Sequence, residues 1–315
     1  MQNIPYLDEK TLENLAITTQ DVIADIEDLI VKKSDNKAWS ATKAVLQPKT
    51  SESDDRYMMA ALAAMDDPSL LAVKTVVLNP DNSNHNLPQI NGLVTVLSSQ
   101  TGLPVAILDG NWITAVRTAG LSATAAKYLA RKDAKIAGFI GCGVQARSHL
   151  EAFCDGFPIE KVLLFGRGKR NIELTKELAM SLGLDVEICD RFEDVTAQSD
   201  ILTTSLTYTP QLVPFLKADA MKKGSFAAVT DLGAPWVKQS FSEFDVLAID
   251  DLVQEKSLPN KIANMEDIKG DIFDLVLGQI NKRSSDEERT AFVFRGLALG
   301  DLALTSLVIK RAGLV

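Results

Sequence analysis

The sequence has few cysteines and no excess of positive charge. Three cysteines, Cys142, Cys154 and Cys189, occur among 315 residues. They are too few and too widely spaced for a disulfide framework or a zinc site, which indicates a reducing compartment. Lysine and arginine total 33 against 42 aspartates and glutamates, giving a net charge of -9. Because no basic field attracts a phosphate backbone, we expect no nucleic-acid partner.

Long hydrophobic runs are also missing. No apolar stretch approaches the roughly 18 residues that a membrane span needs, and the first residues show no basic segment followed by an apolar one. We therefore expect a soluble cytoplasmic protein without a membrane partner. Apolar residues make up 46% and charged residues 24% of the chain, as in globular proteins that bury a core. The length predicts two domains.

The N-terminal third has the pattern of an antiparallel or mixed sheet. Helical periodicity predicts a helix over 19–32, with Thr19 as its N-cap. The following segment, 38–110, is rich in strand-forming residues. Its clearest parts are 70–79 and 94–109, the second of which predicts two strands joined by a Ser/Gln/Thr/Gly turn. Few parallel crossovers fit into so short a stretch.

From Ala134 onward, apolar strands alternate with amphipathic helices. Six strands are predicted, at residues 134–140, 161–166, 185–190, 200–204, 225–231 and 244–250. This alternation is typical of a doubly wound parallel sheet. The predicted fold class is therefore α/β, with a Rossmann-type doubly wound parallel sheet and a second, mixed α+β domain. An apolar-striped tail, 287–312, is long enough to reach back across the domain boundary.

A glycine-rich turn follows the first predicted parallel strand. Gly141, Gly143 and Ala146 fill the three positions of the G-x-G-x-x-A dinucleotide fingerprint. The helix that starts here, with Val144 and Gln145 in its first turn, offers backbone N–H groups and a positive dipole end to phosphates. The strand-turn-helix context predicts a nucleotide site; the alternative is a purely structural turn.

The segment after the second parallel strand indicates the type of cofactor. A site for NAD usually has Asp or Glu here, to accept a hydrogen bond from the ribose 2′-hydroxyl. This chain instead has Arg167, Lys169 and Arg170. A planar guanidinium at Arg167 matches a 2′-phosphate, and Lys169 or Arg170 adds charge. The sequence predicts a preference for NADP(H) over NAD(H), with a solvent-exposed basic turn as the alternative.

Several motifs in order make the chain resemble the ornithine cyclodeaminase and mu-crystallin family. They are VKTVVLNP with Lys74, the loop 82–88, NGLVTVLSSQTGLPVAILDG, ITAVRTAGLSATAAKYLA, the glycine fingerprint, TTSLTYTPQL with Pro210, and FRGLALGDLALTSLV. The resemblance implies a homodimer. It also implies a central NAD(P)-binding Rossmann domain, 118–297, and a substrate-binding and dimerisation domain that combines 1–117 with 298–315.

The resemblance also implies roles for individual residues. Lys74 matches the family lysine that contacts the substrate near its carboxylate and reacting carbon, and Arg117 matches the arginine that grips this carboxylate. Lys49 stands where the family usually has an arginine after a proline, so a point charge replaces a bidentate clamp. Asp231 is the best match to the catalytic aspartate, after a one-residue shift against the common G-x-D-x-P-G pattern. The positions where the family touches the cofactor also include Thr118, Ser205 and Gly296.

These residues fit the reduction of a small cyclic imino acid. Arg117 and Lys49 can hold the carboxylate, which leaves Lys74 and Asp231 for proton handling. Protonation of the imine nitrogen makes the carbon most electrophilic, and hydride then arrives from NADPH; no metal is required. The favoured reaction converts Δ1-pyrroline-2-carboxylate to L-proline, with Δ1-piperideine-2-carboxylate to L-pipecolate as a related one.

Family resemblance leaves other reactions open. The first alternative is an ornithine cyclodeaminase, which converts L-ornithine to L-proline plus ammonia. The cyclodeaminases that the chain resembles use NAD, with an acidic residue after the second strand, so Arg167 argues against this reaction. Further alternatives are an alanine or other amino-acid dehydrogenase, a cis-3-hydroxyproline dehydratase and a non-catalytic NADPH-binding protein. Lys74, Arg117 and Asp231 together favour catalysis over binding alone.

Overall fold

A computed structural model describes residues 3–50, 55–85, 87–207, 209 and 211–315. Pro210 of the TTSLTYTPQL motif lies outside the described residues. The chain divides into two compact units, unit 1 with Met1–Arg117 and Ala298–Val315, and unit 2 with Thr118–Leu297. None of the helices within the described ranges is long and apolar enough to cross a membrane.

The helices and strands follow one another along the chain in two series. The first series is β1 (Tyr6–Leu7), α1 (Glu9–Glu13), α2 (Thr19–Ser34), β2 (Ala38–Ser40), β3 (Ala44–Leu46), β4 (Tyr57–Asp66), β5 (Ser69–Leu78), β6 (Ile90–Leu97), β7 (Pro104–Asp109) and α3 (Gly110–Leu129). The second is β8 (Ile136–Ile140), α4 (Val144–Gly156), β9 (Lys161–Phe165), α5 (Lys169–Ser181), β10 (Asp185–Ile188), α6 (Phe192–Gln198), β11 (Ile201–Thr204), β12 (Phe226–Val229), β13 (Val246–Ile249), α7 (Leu252–Ser257), β14 (Ile268–Asp271), α8 (Ile272–Val276), β15 (Thr290–Val293) and α9 (Ala298–Arg311).

Unit 1 is built on a seven-stranded mixed sheet. Its order is β1-β7-β6-β5-β4-β2, with β3 also paired to β4. The β1–β7 pair is parallel and the other pairs are antiparallel, which confirms the predicted mixed sheet. Helix α9 packs on β4 and β5. In β5 the residues Leu70, Ala72 and Lys74 are buried while their neighbours are more exposed, because alternate side chains of a strand point to opposite faces.

Helix α2 starts at Thr19, and its N-cap is Thr18 rather than the predicted Thr19. The N–H of Asp21 donates to the Thr18 hydroxyl at 3.2 Å, and the N–H of Thr18 donates to the Asp21 carboxylate at 3.0 Å. This reciprocal pair is a capping box. Adjacent threonines satisfy the same N-cap preference, so only the spacing to Asp21 distinguishes them.

Unit 2 is built on an eight-stranded parallel sheet in the order β10-β9-β8-β11-β12-β15-β13-β14. The chain moves from β8 outward to β10, then returns to the other side of β8 with β11, which confirms the predicted doubly wound sheet. Open sheets of this kind bind ligands at the carboxyl ends of the strands where the order reverses. The turn after β8 and the residues after β11 lie at this point.

Two strands of this sheet were not predicted. β14 has the sequence IKGD, which contains no apolar run. β15 lies inside the apolar tail 287–312, which divides into a strand of unit 2 and the helix α9 of unit 1. Because a buried parallel strand and a buried helix are both continuously apolar, hydropathy does not mark the change between them.

Candidate active site

Lys74 is a buried lysine of unit 1. It faces the interior from the middle of β5, between Ala61 of β4 and Val94 of β6, and only 1% of it is exposed. Its Nζ donates to Oδ1 of Asp301 at 2.6 Å and to the Thr114 hydroxyl at 3.2 Å. The strand alternation that buries Leu70 and Ala72 therefore also buries the Lys74 ammonium, which these two acceptors stabilise.

Asp301 of α9 binds two cations through one oxygen. Nζ of Lys74 lies 2.6 Å, and Nε of Arg117 lies 2.9 Å, from the same Oδ1. All three side chains are more than nine-tenths buried. The structure thus brings the predicted Lys74 and Arg117 together through a residue that was not predicted. The available sequence signal was a lone acid within an apolar helix, since such an acid requires a partner when buried.

The surroundings of Lys74 bring its ionisation close to neutral pH. Burial, followed by the positive charge of Arg117, lowers the pKa of Lys74 to about 8, although the Asp301 carboxylate opposes this shift. A neutral amine keeps two N–H donors and gains a lone pair. Lys74 can therefore release or accept a proton while it keeps its hydrogen bonds to Asp301 and Thr114.

A further cation acts on this cluster. Lys43 immediately precedes β3, and its charge also lowers the pKa of Lys74. Lys49, which was predicted to bind the carboxylate, is exposed in the segment after β3. The ion pairs that the described residues form with Asp301 do not include Lys49. Its predicted role remains a prediction, and Lys43 becomes a second candidate that no sequence motif marked.

Asp231 is buried in unit 2, two residues after β12. The Thr204 hydroxyl donates to Oδ1 of Asp231 at 3.1 Å, and the N–H of Leu206 donates to Oδ2 at 3.1 Å. Nε1 of Trp236 donates to Oγ1 of Thr204 at 3.1 Å. Both carboxylate oxygens thus accept a hydrogen bond, and the residues around β11 fix the orientation of the carboxyl group.

Burial also moves the ionisation of Asp231 toward neutral pH. Desolvation raises the pKa of Asp231 to about 6, against the hydrogen bonds from Leu206 and Thr204, which favour the charged form. A carboxyl group that ionises in this range can act as an acid or a base in neutral solution. Its position after a parallel strand is also where ligands bind in such sheets.

The fingerprint turn has the backbone geometry that its glycines predict. Gly141 has a φ of +93°, and a Cβ there would lie 2.7 Å from the carbonyl oxygen of Ser205. The Ser205 hydroxyl donates to the Gly141 carbonyl at 3.0 Å, which ties the turn to the end of β11. Only glycine combines this φ with so close an approach.

The turn also leaves room for a ligand. Gly143 is the N-cap of α4, and, its two chain neighbours aside, no other described residue has a heavy atom within 4 Å of where its Cβ would be. Val144 is exposed and Gln145 half-buried in the first helical turn, whereas Ala146 is buried. Open space beside a helix N-terminus fits the pyrophosphate of a dinucleotide, whose charge the N–H groups and the helix dipole would stabilise.

The other predicted cofactor residues lie in different settings. Arg167, Lys169 and Arg170 are exposed where β9 leads into α5, so their charges can reach a phosphate. The N–H of Gly296, which has a φ of +99°, donates to Asp250 at 2.6 Å. Thr118 is buried in α3 next to Arg117. Contact of these residues with a cofactor remains a prediction.

Comparison with known proteins identifies the family. The model of the ornithine cyclodeaminase/mu-crystallin family matches residues 8–313, and the chain belongs to this family. It is 28% identical to an alanine dehydrogenase of Archaeoglobus fulgidus over 96% of both chains. It is also 29% identical to the ketimine reductase mu-crystallin of Rattus norvegicus, over 80% of this chain and 78% of that protein.

Two solved structures are similar over nearly the whole chain. One is a Δ1-pyrroline-2-carboxylate reductase of Thermococcus litoralis in complex with NADH and L-proline, with a TM-score of 0.86, 27% identity and coverage of 98% and 97%. The other is an archaeal alanine dehydrogenase dimer with bound NAD, with a TM-score of 0.84, 26% identity and coverage of 98% and 96%. Fold, fingerprint and relatives define the class: the chain is a nicotinamide-dependent oxidoreductase.

Proposed function

We propose that the protein reduces a cyclic ketimine carboxylate with NADPH, converting Δ1-pyrroline-2-carboxylate to L-proline and, as a related reaction, Δ1-piperideine-2-carboxylate to L-pipecolate. The main support is the buried cluster in which Lys74 and Arg117 share one oxygen of Asp301. The charge of Lys43 also acts on this cluster. A guanidinium and an ammonium held close together suit the binding of an anionic substrate.

The substrate carboxylate would bind to the cations of unit 1. Arg117 can offer a planar pair of N–H donors, and Lys43 or Lys49 can add a point charge. This binding would fix the position of the adjacent imine carbon and reduce the entropic cost of reaching the reactive geometry. Lys74, two of whose donors already bind Thr114 and Asp301, keeps a third for the substrate.

Lys74 and Asp231 are assigned to proton handling. When bound, a reduced nicotinamide supplies the hydride that C2 of the imine receives. The two electrons of the C=N π bond then remain on nitrogen, so the reaction requires one proton there and yields a secondary amine. A negative charge on Asp231 would stabilise the protonated imine. Lys74 can give a proton to the imine nitrogen and take up another from solvent, because its pKa is about 8.

The preference for NADPH rests on the residues after β9. The chain has Arg167 where an NAD site usually has a carboxylate, and Lys169 and Arg170 follow it, all three exposed. A dianionic 2′-phosphate would gain charge-assisted hydrogen bonds from this group. The similar reductase and alanine dehydrogenase structures contain NADH and NAD, so the proposal distinguishes this chain from those proteins.

We also infer a homodimer that uses the outer face of the unit 1 sheet. Trp39, Leu62, Val77 and Leu93 project from β2, β4, β5 and β6 on the face opposite Lys74, and each is about two-fifths exposed. An apolar patch of this kind is typical of a protein interface. The similar archaeal alanine dehydrogenase is a dimer. Leu62→Glu should yield a monomer in sedimentation analysis, and a variant that stays dimeric would argue for another interface.

Alanine dehydrogenation is the second candidate, because the Archaeoglobus fulgidus relative matches nearly the whole chain. The test is NADPH oxidation with Δ1-pyrroline-2-carboxylate, Δ1-piperideine-2-carboxylate and pyruvate plus ammonia, with NADH in parallel. We expect the cyclic imines to be fastest. Faster reduction of pyruvate with ammonia would indicate the dehydrogenase, and ammonia release from ornithine with NAD, without net NADPH use, would indicate the cyclodeaminase.

A further inference from the structure

Asp301 lies in α9, far along the chain from both of its partners. Its Oδ1 is 2.6 Å from Nζ of Lys74 on β5 and 2.9 Å from Nε of Arg117 on α3. The same oxygen therefore touches the residue proposed to move a proton and the residue proposed to bind the substrate carboxylate. Each cation has little solvent to stabilise it, so its position depends on its protein partners.

We propose that Asp301 is a positioning residue that joins Lys74 and Arg117 through Oδ1, so that one carboxylate sets both the orientation of the substrate-binding arginine and the charge state of the lysine. The inference rests on the proposed reduction of a cyclic imino acid. Asp301 itself need not touch the substrate, because it acts through its two partners.

Asp301 is the anion among the charged groups that act most strongly on Lys74. The other two are Arg117 of α3 and Lys43 before β3, and both are cations. Without Asp301, Lys74 would keep both of these positive charges beside it and would lose its proton at lower pH. Arg117 would at the same time lose the ion-pair partner that lies 2.9 Å from its Nε.

A purely structural role makes a different prediction. If Asp301 only fastened α9 to the sheet, its loss would lower stability without changing the pH dependence of the reaction. A matched ion pair exists elsewhere on this helix, where Nζ of Lys310 lies 3.3 Å from Asp25 of α2. Asp25→Asn removes that pair and leaves the Lys74 cluster intact, so it serves as the control.

The test compares Asp301→Asn, Asp301→Glu and Asp25→Asn in steady-state reduction of Δ1-pyrroline-2-carboxylate. For Asp301→Asn we expect the KM to rise roughly tenfold. In the wild type, activity should fall with rising pH as Lys74 deprotonates. In Asp301→Asn this fall should occur roughly one pH unit lower. Asp301→Glu should restore the pH profile but not the KM, since its longer side chain keeps the charge and displaces the oxygen. Asp25→Asn should match the wild type in both.

A second readout does not need turnover. The titration of Lys74, followed by NMR in protein with labelled lysine and assigned with Lys74→Arg, should move to lower pH in Asp301→Asn. If the wild type reduces no imine, this shift still supports the link between Asp301 and Lys74, while the proposed reaction fails. An unchanged Lys74 titration with unchanged KM would overturn the proposal. If Asp301→Asn does not fold, the KM of Asp301→Glu is the test. A KM equal to that of the wild type would contradict the proposed positioning role of Asp301.

Discussion

The indole N–H of Trp236 donates to the hydroxyl oxygen of Thr204 at 3.1 Å. This bond orients the hydroxyl, whose own hydrogen is directed to Oδ1 of Asp231 at 3.1 Å. Because Trp236 can only donate, the direction of the chain from indole to hydroxyl to carboxylate is fixed. The candidate acid of unit 2 is thus held by a buried network whose members come from two separate stretches of sequence.

Thr204→Val should raise the pKa of Asp231 further, because the carboxylate loses a donor that favours its charged form. Activity that requires ionised Asp231 would then appear at higher pH than in the wild type. The pH dependence of kcat/KM measures this shift. Thr204→Ser should behave like the wild type.

The neighbouring Thr203→Val is the matched control, because the Thr203 hydroxyl is buried without a hydrogen-bond partner among the described residues. It should leave the pH profile unchanged. Equal profiles for Thr203→Val and Thr204→Val would contradict the role of Thr204.

Asp231→Asn should lower turnover and change how stability depends on pH. The pKa of Asp231 is about 6 in the folded chain, raised from 3.8. Well below pH 3.8 the carboxyl is protonated in both states, whereas above pH 6 the folded state alone bears the cost of a buried charge. The free energy of unfolding of the variant, relative to the wild type, should therefore rise by about 2 kcal/mol between pH 4 and pH 7. Denaturant titrations at both pH values measure this, and a constant difference would mean that Asp231 ionises normally.

Arg167→Ala should weaken NADPH binding about tenfold and leave NADH binding unchanged, because only NADPH carries the 2′-phosphate that the guanidinium would bind. Dissociation constants for both cofactors, measured by fluorescence, provide the check. Lys176→Ala is the control on α5, the helix that follows Arg167, where Lys176 pairs with Glu173 on the surface. A parallel loss of NADH and NADPH affinity in Arg167→Ala would remove the basis for the NADP(H) preference.

Gly141→Ala and Gly143→Ala should separate folding from cofactor binding. At Gly141 the positive φ and the nearby Ser205 carbonyl make any side chain costly, and we expect a loss of about 1–3 kcal/mol in stability. At Gly143 the space is open, so the variant should fold normally but bind NADPH less tightly, since the methyl group occupies the place of a phosphate. Thermal melts and NADPH titrations of the pair measure both effects, and a Gly143→Ala variant with wild-type affinity would argue against the dinucleotide site.

The features that were predicted from sequence are those with a local signal. Strands β11 and β12 are buried at every residue, and such strands form short apolar runs between helices. The fingerprint glycines were recognisable because turn, phosphate approach and helix start follow one another within six residues of sequence, 141–146. The N-cap of α2 was misplaced by one residue because two threonines stand side by side.

What the sequence did not reveal depends on contacts between distant residues. Asp301 lies 227 positions from Lys74, and no short motif encodes that pair. Lys43 gains its importance only from the pairing of β3 with β4, which sets Ala44 opposite Ala60 and brings the preceding lysine close to Lys74. The same holds for Trp236 and Thr204, whose hydrogen bond depends on the path of the chain after β12.

The proposed function requires hydride to reach C2 of a cyclic ketimine carboxylate. To follow this hydride, the protein is incubated with Δ1-pyrroline-2-carboxylate and NADPH carrying deuterium at C4, with each of the two faces labelled in turn, and the proline is analysed by mass spectrometry and NMR. We predict L-proline with one deuterium at Cα from one of the two labelled cofactors and none from the other. Proline without deuterium from both cofactors, or no proline at all, would contradict the proposed function.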